Sequence, residues 1–362
     1  MLGPPTSDWG RFLPQPFQAI SPIRGADAHA GQCVVITGAG GYIGSALARA
    51  VAPANPRCLV LLDASEQNLF EIHSQLSSCD VPHEAVLGST GDARLLDALF
   101  DRVRPDIVYH TAAFKHVPLL ELNPFSAVEN NAVGTFQLAI GAIAHRVPRL
   151  VLISTDKAVN PHSVMGVSKR IAELTTLALS NSDCRMSAVR LVNVIGSTGS
   201  AVPEFLRRIY EHRPLMVTHR DAERWFLTLR ETIQAILACG AAAEGDLFVP
   251  RVGEPVSIAG LAEYLIRMNP GAETRILYNG LRPGDKIREE LLSRDESIVR
   301  FEGVLGSVKS VRPTVSGLTN VVNDLVKVVV SGDLGTLVDA LCSAVPEYVP
   351  SALILDAAKV VA

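Results

Sequence analysis

The stretch VVITGAGGYIGSALARA, residues 34–50, constrains the fold more than any other part of the chain. A short apolar run leads directly into glycines at 38, 41 and 44, and these open a helix-forming segment. The glycines permit a tight turn and close backbone approach to a ligand. The helix that follows offers free N–H groups and the positive end of its dipole, an arrangement that suits a pyrophosphate. Asp63 ends the next apolar run, nineteen residues past Gly44. A carboxylate there can accept hydrogen bonds from the adenosine ribose and would repel a 2′-phosphate, which favours NAD over NADP. Two simpler readings stand beside these. The glycine turn can serve packing alone, and Asp63 in DASEQN can cap the next helix.

Further apolar bursts follow at 58–62, 106–110, 149–154 and 187–192, after the first at 33–37. Runs this short and continuous suit strands buried on both faces. Helix-length stretches near 43–53, 65–78, 92–103, 125–146 and 163–180 separate or follow them. The alternation predicts an α/β fold, a Rossmann-like doubly wound parallel sheet. Past residue 195, Gly and Pro become frequent and the elements short and mixed. The expected division is an arm over 1–30, a dinucleotide-binding domain over 31–195, a smaller mixed substrate lobe over 196–350 interleaved with it, and a tail over 351–362. The stretch 317–343 reads as helical.

The 362 residues are 48% hydrophobic and 19% charged, which excludes a disordered chain. A net charge of −4 gives no general reason to bind nucleic acid. No apolar run reaches the roughly 18 residues of a membrane span. The Pro-rich start lacks the basic and apolar stretches of a signal peptide, so a cytoplasmic location is expected. None of the six cysteines forms a CxxC pair, and the nine histidines show no HExxH spacing. Reduced, mostly buried thiols and no metal are expected.

A second motif is STDKAVNPHSVMGVSKR, residues 154–170. Lys169 has Met165 four residues before it, where a large class of nicotinamide enzymes carries a proton-transferring tyrosine. Together with the glycine loop, this region resembles the extended short-chain dehydrogenase/reductases. HTAAFKHVPLLELNP, GSTGSAVPEF, ERWFLTL and LRPGDKIREELL narrow the resemblance to the nucleotide-sugar 4,6-dehydratases of polysaccharide biosynthesis, the CapD-like group. Met165, LLDASEQNLFEI and AVPEYVP resemble its long subgroup, which carries membrane helices ahead of the catalytic domain. The chain then corresponds to the catalytic domain.

The resemblance implies a UDP-sugar substrate, UDP-N-acetylglucosamine in the typical case, and bound NAD. It implies C4 oxidation, loss of water across C5 and C6, and return of hydride to C6. Asp156 would be the acid at the C6 oxygen and Lys157 the base at C5, and the alternative is a surface pair at a strand end. Thr155, or a water relayed to Asp156, would take the C4 hydroxyl proton that Met165 cannot. Lys169 would hold the nicotinamide ribose, with Met165 against the nicotinamide or sugar. Tyr42, Ile43, Ala112 and Lys115 join Gly38, Gly41, Gly44 and Asp63 on the cofactor side. Lys115, His116, Asn193, Val202, Pro203, Arg224 and Arg282 fall on the substrate side, Arg282 at the diphosphate. His116 reads equally well as a structural loop histidine, and each arginine alone as an exposed salt bridge. Asn131 would tie its helix to the active-site strand. Two positions depart from the family pattern. Ser89 replaces an Asp that holds the adenine, with Asp92 three residues on, and Val192 replaces a Gly. Pairing of identical chains through the helices near 125–146 and 163–180 is expected, and higher assemblies are compatible with it. A 4-epimerase, a dehydrogenase that releases NADH and a cofactor-binding scaffold without turnover are the competing readings.

Overall fold

A computed structural model describes residues 27–77, 81–269 and 274–361. Most of the expected N-terminal arm, residues 1–26, and Cys79 lie outside the described residues.

The strands in chain order are β1 (Cys33–Thr37), β2 (Cys58–Asp63), β3 (His83–Leu87), β4 (Ile107–His110), β5 (Arg149–Thr155), β6 (Arg185–Leu191), β7 (Asn193–Val194), β8 (Leu215–Val217), β9 (Glu223–Arg224), β10 (Phe226–Leu227), β11 (Leu247–Pro250), β12 (Val256–Ser257), β13 (Ile276–Tyr278), β14 (Ser297–Glu302) and β15 (Leu305–Lys309). Nine of them form one sheet in the order β14-β15-β11-β6-β5-β4-β1-β2-β3. Pairing is parallel from β3 through to β11, and β15 alone runs in the opposite direction, pairing antiparallel with both β11 and β14. The strand order reverses between β1 and β4. In open α/β sheets this is where a crevice forms at the carboxyl ends of the strands. The remaining strands make three two-stranded pairs, β10-β7, β12-β9 and β13-β8.

Each of the five apolar bursts is a strand of the large sheet. Their residues alternate between its two faces. Val34, Ile36, Leu59 and Leu61 enter one buried cluster, and Val35, Val60 and Leu62 another. The sequence reading misses β3, whose HEAVL is an edge strand with no fully buried residue and so no continuous apolar run.

The helices are α1 (Tyr42–Val51), α2 (Glu66–Leu76), α3 (Ala93–Val103), α4 (Val117–Glu121), α5 (Pro124–Val128), α6 (Gly134–Ala144), α7 (Val164–Leu179), α8 (Ala201–Tyr210), α9 (Leu229–Ala241), α10 (Ile258–Arg267), α11 (Val315–Ser331), α12 (Leu334–Ala344) and α13 (Ala352–Val361). The helix expected over 125–146 is α5 and α6 joined by a π-helical turn, Glu129–Val133. The stretch 317–343 is likewise two helices. Gly332, at φ +71°, ends α11, and Asp333 caps α12 by accepting the Thr336 N–H at 2.5 Å.

A buried ionic cluster joins these layers. Glu173 of α7 accepts from Arg190 Nε and Nη2 at 2.8 Å each, from Arg170 Nη1 at 3.0 Å and from the Ser154 hydroxyl at 2.7 Å. Glu296 accepts from Arg190 Nη1 at 2.6 Å and Nη2 at 2.9 Å, and from Ser310 at 2.9 Å. Arg190 also donates to the Leu291 carbonyl at 2.9 Å. Arg190 and Glu173 are wholly buried. Desolvation alone would push both carboxyls up. The arginines outweigh it, holding Glu173 below the usual carboxylate range and Glu296 at about 2.

Removing one partner leaves an uncompensated buried charge. Glu173→Ala should therefore cost about 3–5 kcal/mol in a urea unfolding titration. The depressed carboxyls also fix a pH window. Their stabilisation is complete above the unfolded glutamate value of about 4.3. The Glu296 part is lost as pH falls from there through about 2. Unfolding midpoints measured from pH 6 downward should drop across that range in the native chain, and drop less in Glu296→Gln.

Candidate active site

At the reversal of strand order, the glycine loop joins β1 to α1. Gly38 has φ +65°, and a Cβ there would lie 2.6 Å from the Ala112 backbone. A Cβ on Gly44 would lie 2.1 Å from the Gly38 carbonyl oxygen. Side chains cannot enter this turn. Gly41 caps α1 without a side-chain bond, so the first N–H groups of the helix are open to a ligand. The cradle thus has the shape and donors that a dinucleotide pyrophosphate takes. Tyr42 donates its hydroxyl to the Ile195 carbonyl at 3.0 Å, and Ile43 packs on the core.

Asp63 braces the loop. One carboxylate oxygen accepts the Gly40 N–H and the other the Ser65 N–H, both at 2.8 Å. The cap of α2 is Ser65, which accepts from Asn68. At the position that departs from the family pattern, Ser89 accepts the Gly91 N–H at 3.1 Å. Asp92 caps α3, accepting from Arg94 and Leu95. Both cap bonds go to its Oδ1.

Two strands away, β5 delivers Thr155 to the same end of the sheet, and a 3-10 turn follows at Asp156–Ala158. Lys157 Nζ donates to Asp156 Oδ1 at 2.9 Å and to Asn193 Oδ1 at 3.1 Å. Thr155 donates its hydroxyl to the same Asp156 oxygen at 2.9 Å. Asp156 is fully buried, yet its Oδ2 has no hydrogen-bond partner. The Lys157 side chain is 23% exposed. Burial pulls its proton affinity down, but the charges of Asp156 and Glu289 outweigh it and hold the ammonium above the usual lysine range. Glu289, a residue the sequence reading did not single out, reaches to 3.6 Å from Lys157 Nζ. Its only signal was a pair of acids inside REELL, which reads as an ordinary solvated turn.

Lys169 lies buried on α7 and donates to the Ile153 carbonyl at 2.7 Å. Desolvation brings its pKa down to about 8. Met165, 3% exposed, is packed in an apolar cluster with Val117, Leu120, Val128 and Val164. His110, also missed, ends β4 and is wholly buried between Thr37, at 2.7 Å from Nδ1, and Thr135, at 2.9 Å from Nε2. Thr135 gives its own proton to the Asn131 carbonyl at 2.6 Å. Nε2 is therefore the protonated ring nitrogen and Nδ1 accepts from Thr37. Burial and Lys169 lower the His110 pKa to about 3. Asn131, on the π turn, bonds both backbone groups of Phe114, at 2.8 and 3.0 Å, and Ser168 of α7 at 3.1 Å. It ties the segment after β4 to α7.

The outer residues are more dispersed. Lys115 donates to the Thr198 carbonyl at 2.8 Å, and His116 packs on Gly199. This brings the segment after β4 against the GSTGS segment. Val202 is buried in α8 among Ile195, Phe205 and Leu215, with Pro203 half-buried beside it. Val192 lies in the main core. Arg224 donates to the carbonyls of Glu223, Ile287 and Lys286, and its Nε lies 3.5 Å from Glu289. Arg282 is exposed and pairs with Asp285 at 2.8 Å. The structure therefore brings Thr155, Asp156, Lys157, Asn193 and Arg224 into one cluster. Arg282 stands outside it.

Comparison with known proteins fits this geometry. A family model described as "Polysaccharide biosynthesis protein" matches residues 34–305. The capsular polysaccharide biosynthesis protein CapD of Staphylococcus aureus is 40% identical over 271 residues, covering 73% of this chain and 45% of CapD. The chain thus spans a little under half of that relative's length. A UDP-N-acetylglucosamine 4,6-dehydratase (inverting) of Campylobacter jejuni is 28% identical, covering 75% of this chain and 80% of that protein. UDP-glucose 4-epimerases of several Rickettsia species match at 28–32% identity. Among solved structures, Pen from Bacillus thuringiensis aligns with a TM-score of 0.72 at 27% identity, covering 79% of this chain and 89% of that one. None of the described helices is long and apolar enough to cross a membrane. The chain belongs to the polysaccharide biosynthesis protein family, within the CapD-like extended short-chain dehydrogenase/reductases.

Proposed function

We propose that the protein is an NAD-dependent nucleotide-sugar 4,6-dehydratase acting on UDP-N-acetylglucosamine, or a close UDP-hexosamine, in glycan biosynthesis. The observation that carries this reading is the Asp156–Lys157 pair, bonded at 2.9 Å at the same end of the sheet as the glycine cradle, with Asp156 Oδ2 buried and unpartnered. Elimination across C5 and C6 needs one group that gives a proton and one that takes it. Epimerisation at C4 needs no such pair. The resemblance of the motif to the dehydratases, and the name of the Campylobacter relative, point the same way.

In this reading Gly38, Gly41, Gly44 and Asp63 hold the dinucleotide, with Tyr42, Ile43, Ala112, Lys115 and Lys169 around it. NAD held there would supply the hydride acceptor for C4 and the hydride donor for C6. Lys157 takes the proton from C5 and gives it back to the same carbon. It enters that step as the free amine, so the ammonium held in the ligand-free site first loses its proton to solvent, which the partly exposed side chain reaches. Asp156 gives its proton to the departing C6 hydroxyl. The Thr155 hydroxyl already donates to Asp156. C4 oxidation comes first, so a C4 hydroxyl proton passed to Thr155 has a route to the Asp156 carboxylate and makes it the acid that the elimination then uses. The water released carries the C6 oxygen and the two hydroxyl protons. Met165 has no proton to move and fills space. His116, Asn193, Val202, Pro203, Arg224 and Arg282 serve the sugar-nucleotide side. The two-part division, with residues 196–350 as the substrate lobe, belongs to the same proposal.

The epimerase names among the relatives support a 4-epimerase as the second reading. Product mass separates the two. Purified protein incubated with UDP-N-acetylglucosamine and NAD should yield a 4-keto product one water lighter, with no build-up of NADH. An isomer of unchanged mass would establish the epimerase, and bound NAD with no product the scaffold. Asp156→Asn and Lys157→Ala should each lower turnover by about 10²–10⁴-fold. Met165→Leu should retain most of it, and a loss as complete as that of Lys157→Ala would overturn the space-filling role.

A further inference from the structure

Glu289 is 6% exposed and sits in the segment after the RPGDK turn, a place in the chain far from Asp156 and Lys157. Its Oε1 lies 3.6 Å from Lys157 Nζ and 3.5 Å from Arg224 Nε, while its Oε2 is buried with no hydrogen-bond partner. A carboxylate withdrawn from water this far is unfavourable unless a cation compensates it. Two cations do so here, and they differ in kind. Arg224 is bound to the backbone of the same segment, at the Lys286 and Ile287 carbonyls, both within 2.8 Å. It grips the chain that carries Glu289 and sets where the carboxylate stands. Arg190 holds the next residues through the Leu291 carbonyl and Glu296. Lys157 is bound to neither. Among the described residues its ammonium is bonded or paired to Asp156, Asn193 and Glu289.

We propose that Glu289 is the positioning residue for Lys157: it orients the amine and stabilises the ammonium that forms when Lys157 takes a proton from substrate. This rests on the reading of Lys157 as the base at C5. The pair Asp156–Lys157 is then one side of a three-residue unit, with a carboxylate on Lys157 that does not touch the leaving hydroxyl. The division of labour is chemical. Asp156 cannot serve both as the acid that loses its proton and as the fixed negative charge that receives the new ammonium. Glu289 supplies that fixed charge. Other ionisable groups around the unit are Lys286, whose Nζ is bonded to the Val159 carbonyl at 2.8 Å, and Glu290 and His162 on its outer side. Lys286 repels Lys157 and Glu290 attracts Lys286, so neither replaces Glu289.

Competitive acetylation tests this on the intact protein. Acetic anhydride at limiting concentration reacts with free amines, and peptide mass mapping reads Lys157 against exposed Lys327 as the internal standard. Taken across pH, the midpoint reports proton affinity and the plateau reports access. In Glu289→Gln the Lys157 midpoint should fall by about one pH unit, a tenfold change in its acid dissociation constant. In Glu289→Asp, where the carboxylate retreats by one methylene, it should fall by less. If Glu289→Gln does not fold, the Glu289→Asp midpoint decides alone. An unmoved midpoint in the variants obtained overturns the proposal and leaves Glu289 a brace for Arg224 only. Turnover adds a second reading: kcat should drop at least about tenfold with KM little changed. Absence of a 4-keto product from the native protein would defeat the dehydratase reading, whereas the acetylation midpoints would still decide the link between Glu289 and Lys157.

Discussion

The buried cluster of Glu173, Arg190, Glu296 and Arg170 is the constraint on which the site depends. Arg190 stands on β6, Glu173 and Arg170 on α7, and Glu296 just ahead of β14. Four charges in the interior are tolerated because nearly every donor and acceptor is matched, with Ser154, Ser293, Ser310 and the Leu291 carbonyl completing the set. Such a cluster contributes less to stability than an apolar core of equal volume would. What it supplies is register. It fixes α7, which carries Lys169, against β5, and it anchors the chain immediately downstream of Glu289. A segment from the C-terminal third of the chain thereby reaches the end of β5 at a set distance.

The same logic extends to the C-terminal residues. Arg170 reaches Glu347 at 3.2 Å, and Val349 donates its N–H to the Pro161 carbonyl at 2.9 Å. Buried Glu121 accepts from Val164, the first residue of α7, at 2.7 Å and from the Ser351 hydroxyl. Burial raises the Glu121 carboxyl above its ordinary value, and these two donors offset part of that. The N-terminus of α7 is thus held from both sides in sequence, by Glu121 some forty residues before it and by Val349 and Ser351 far beyond it. On the proposed reading of Asp156 and Lys157 as a proton-transfer pair, such rigid support would matter, since small errors in distance weaken both hydrogen bonds and electrostatics.

Local signals carried most of the fold. A continuous apolar run buried on both faces is legible because every residue in it obeys the same rule, and β1, β2, β4, β5 and β6 all follow it. β3 failed because an edge strand alternates with solvent. The π turn between α5 and α6 failed because its sequence, ENNAV, breaks no helical rule, and its reason is the tertiary position of Asn131. The site divided along the same line. The glycine cradle and the Thr155–Asp156–Lys157 run are contiguous in sequence, so spacing exposes them. Glu289 and His110 acquire their surroundings through long-range contacts: Glu289 from Lys157 in the turn after β5 and Arg224 of β9, His110 from Thr37 and Thr135. Arg224 was legible as a residue of interest, but not its partners, because its donors go to backbone carbonyls that no pattern of side chains reports.

The methionine at position 165 now has a physical context. It is buried with Val117, Leu120 and Val128, residues of α4 and α5, and helps close α7 against them. A tyrosine at that point would need a partner for its hydroxyl, and the immediate surroundings are apolar. The proton-bearing groups lie on β5 and the turn after it, where Thr155, Asp156 and Lys157 are linked through one carboxylate oxygen. Lys169 keeps its place one helical turn from Met165, with its ammonium at the Ile153 carbonyl and its proton affinity lowered by burial. In a tyrosine-containing relative, a lysine here would act on both the cofactor and the phenol. On the proposed dehydratase reading, Lys169 would keep only the cofactor-facing task, and the proton chemistry would fall to the carboxylate that Thr155 and Lys157 share.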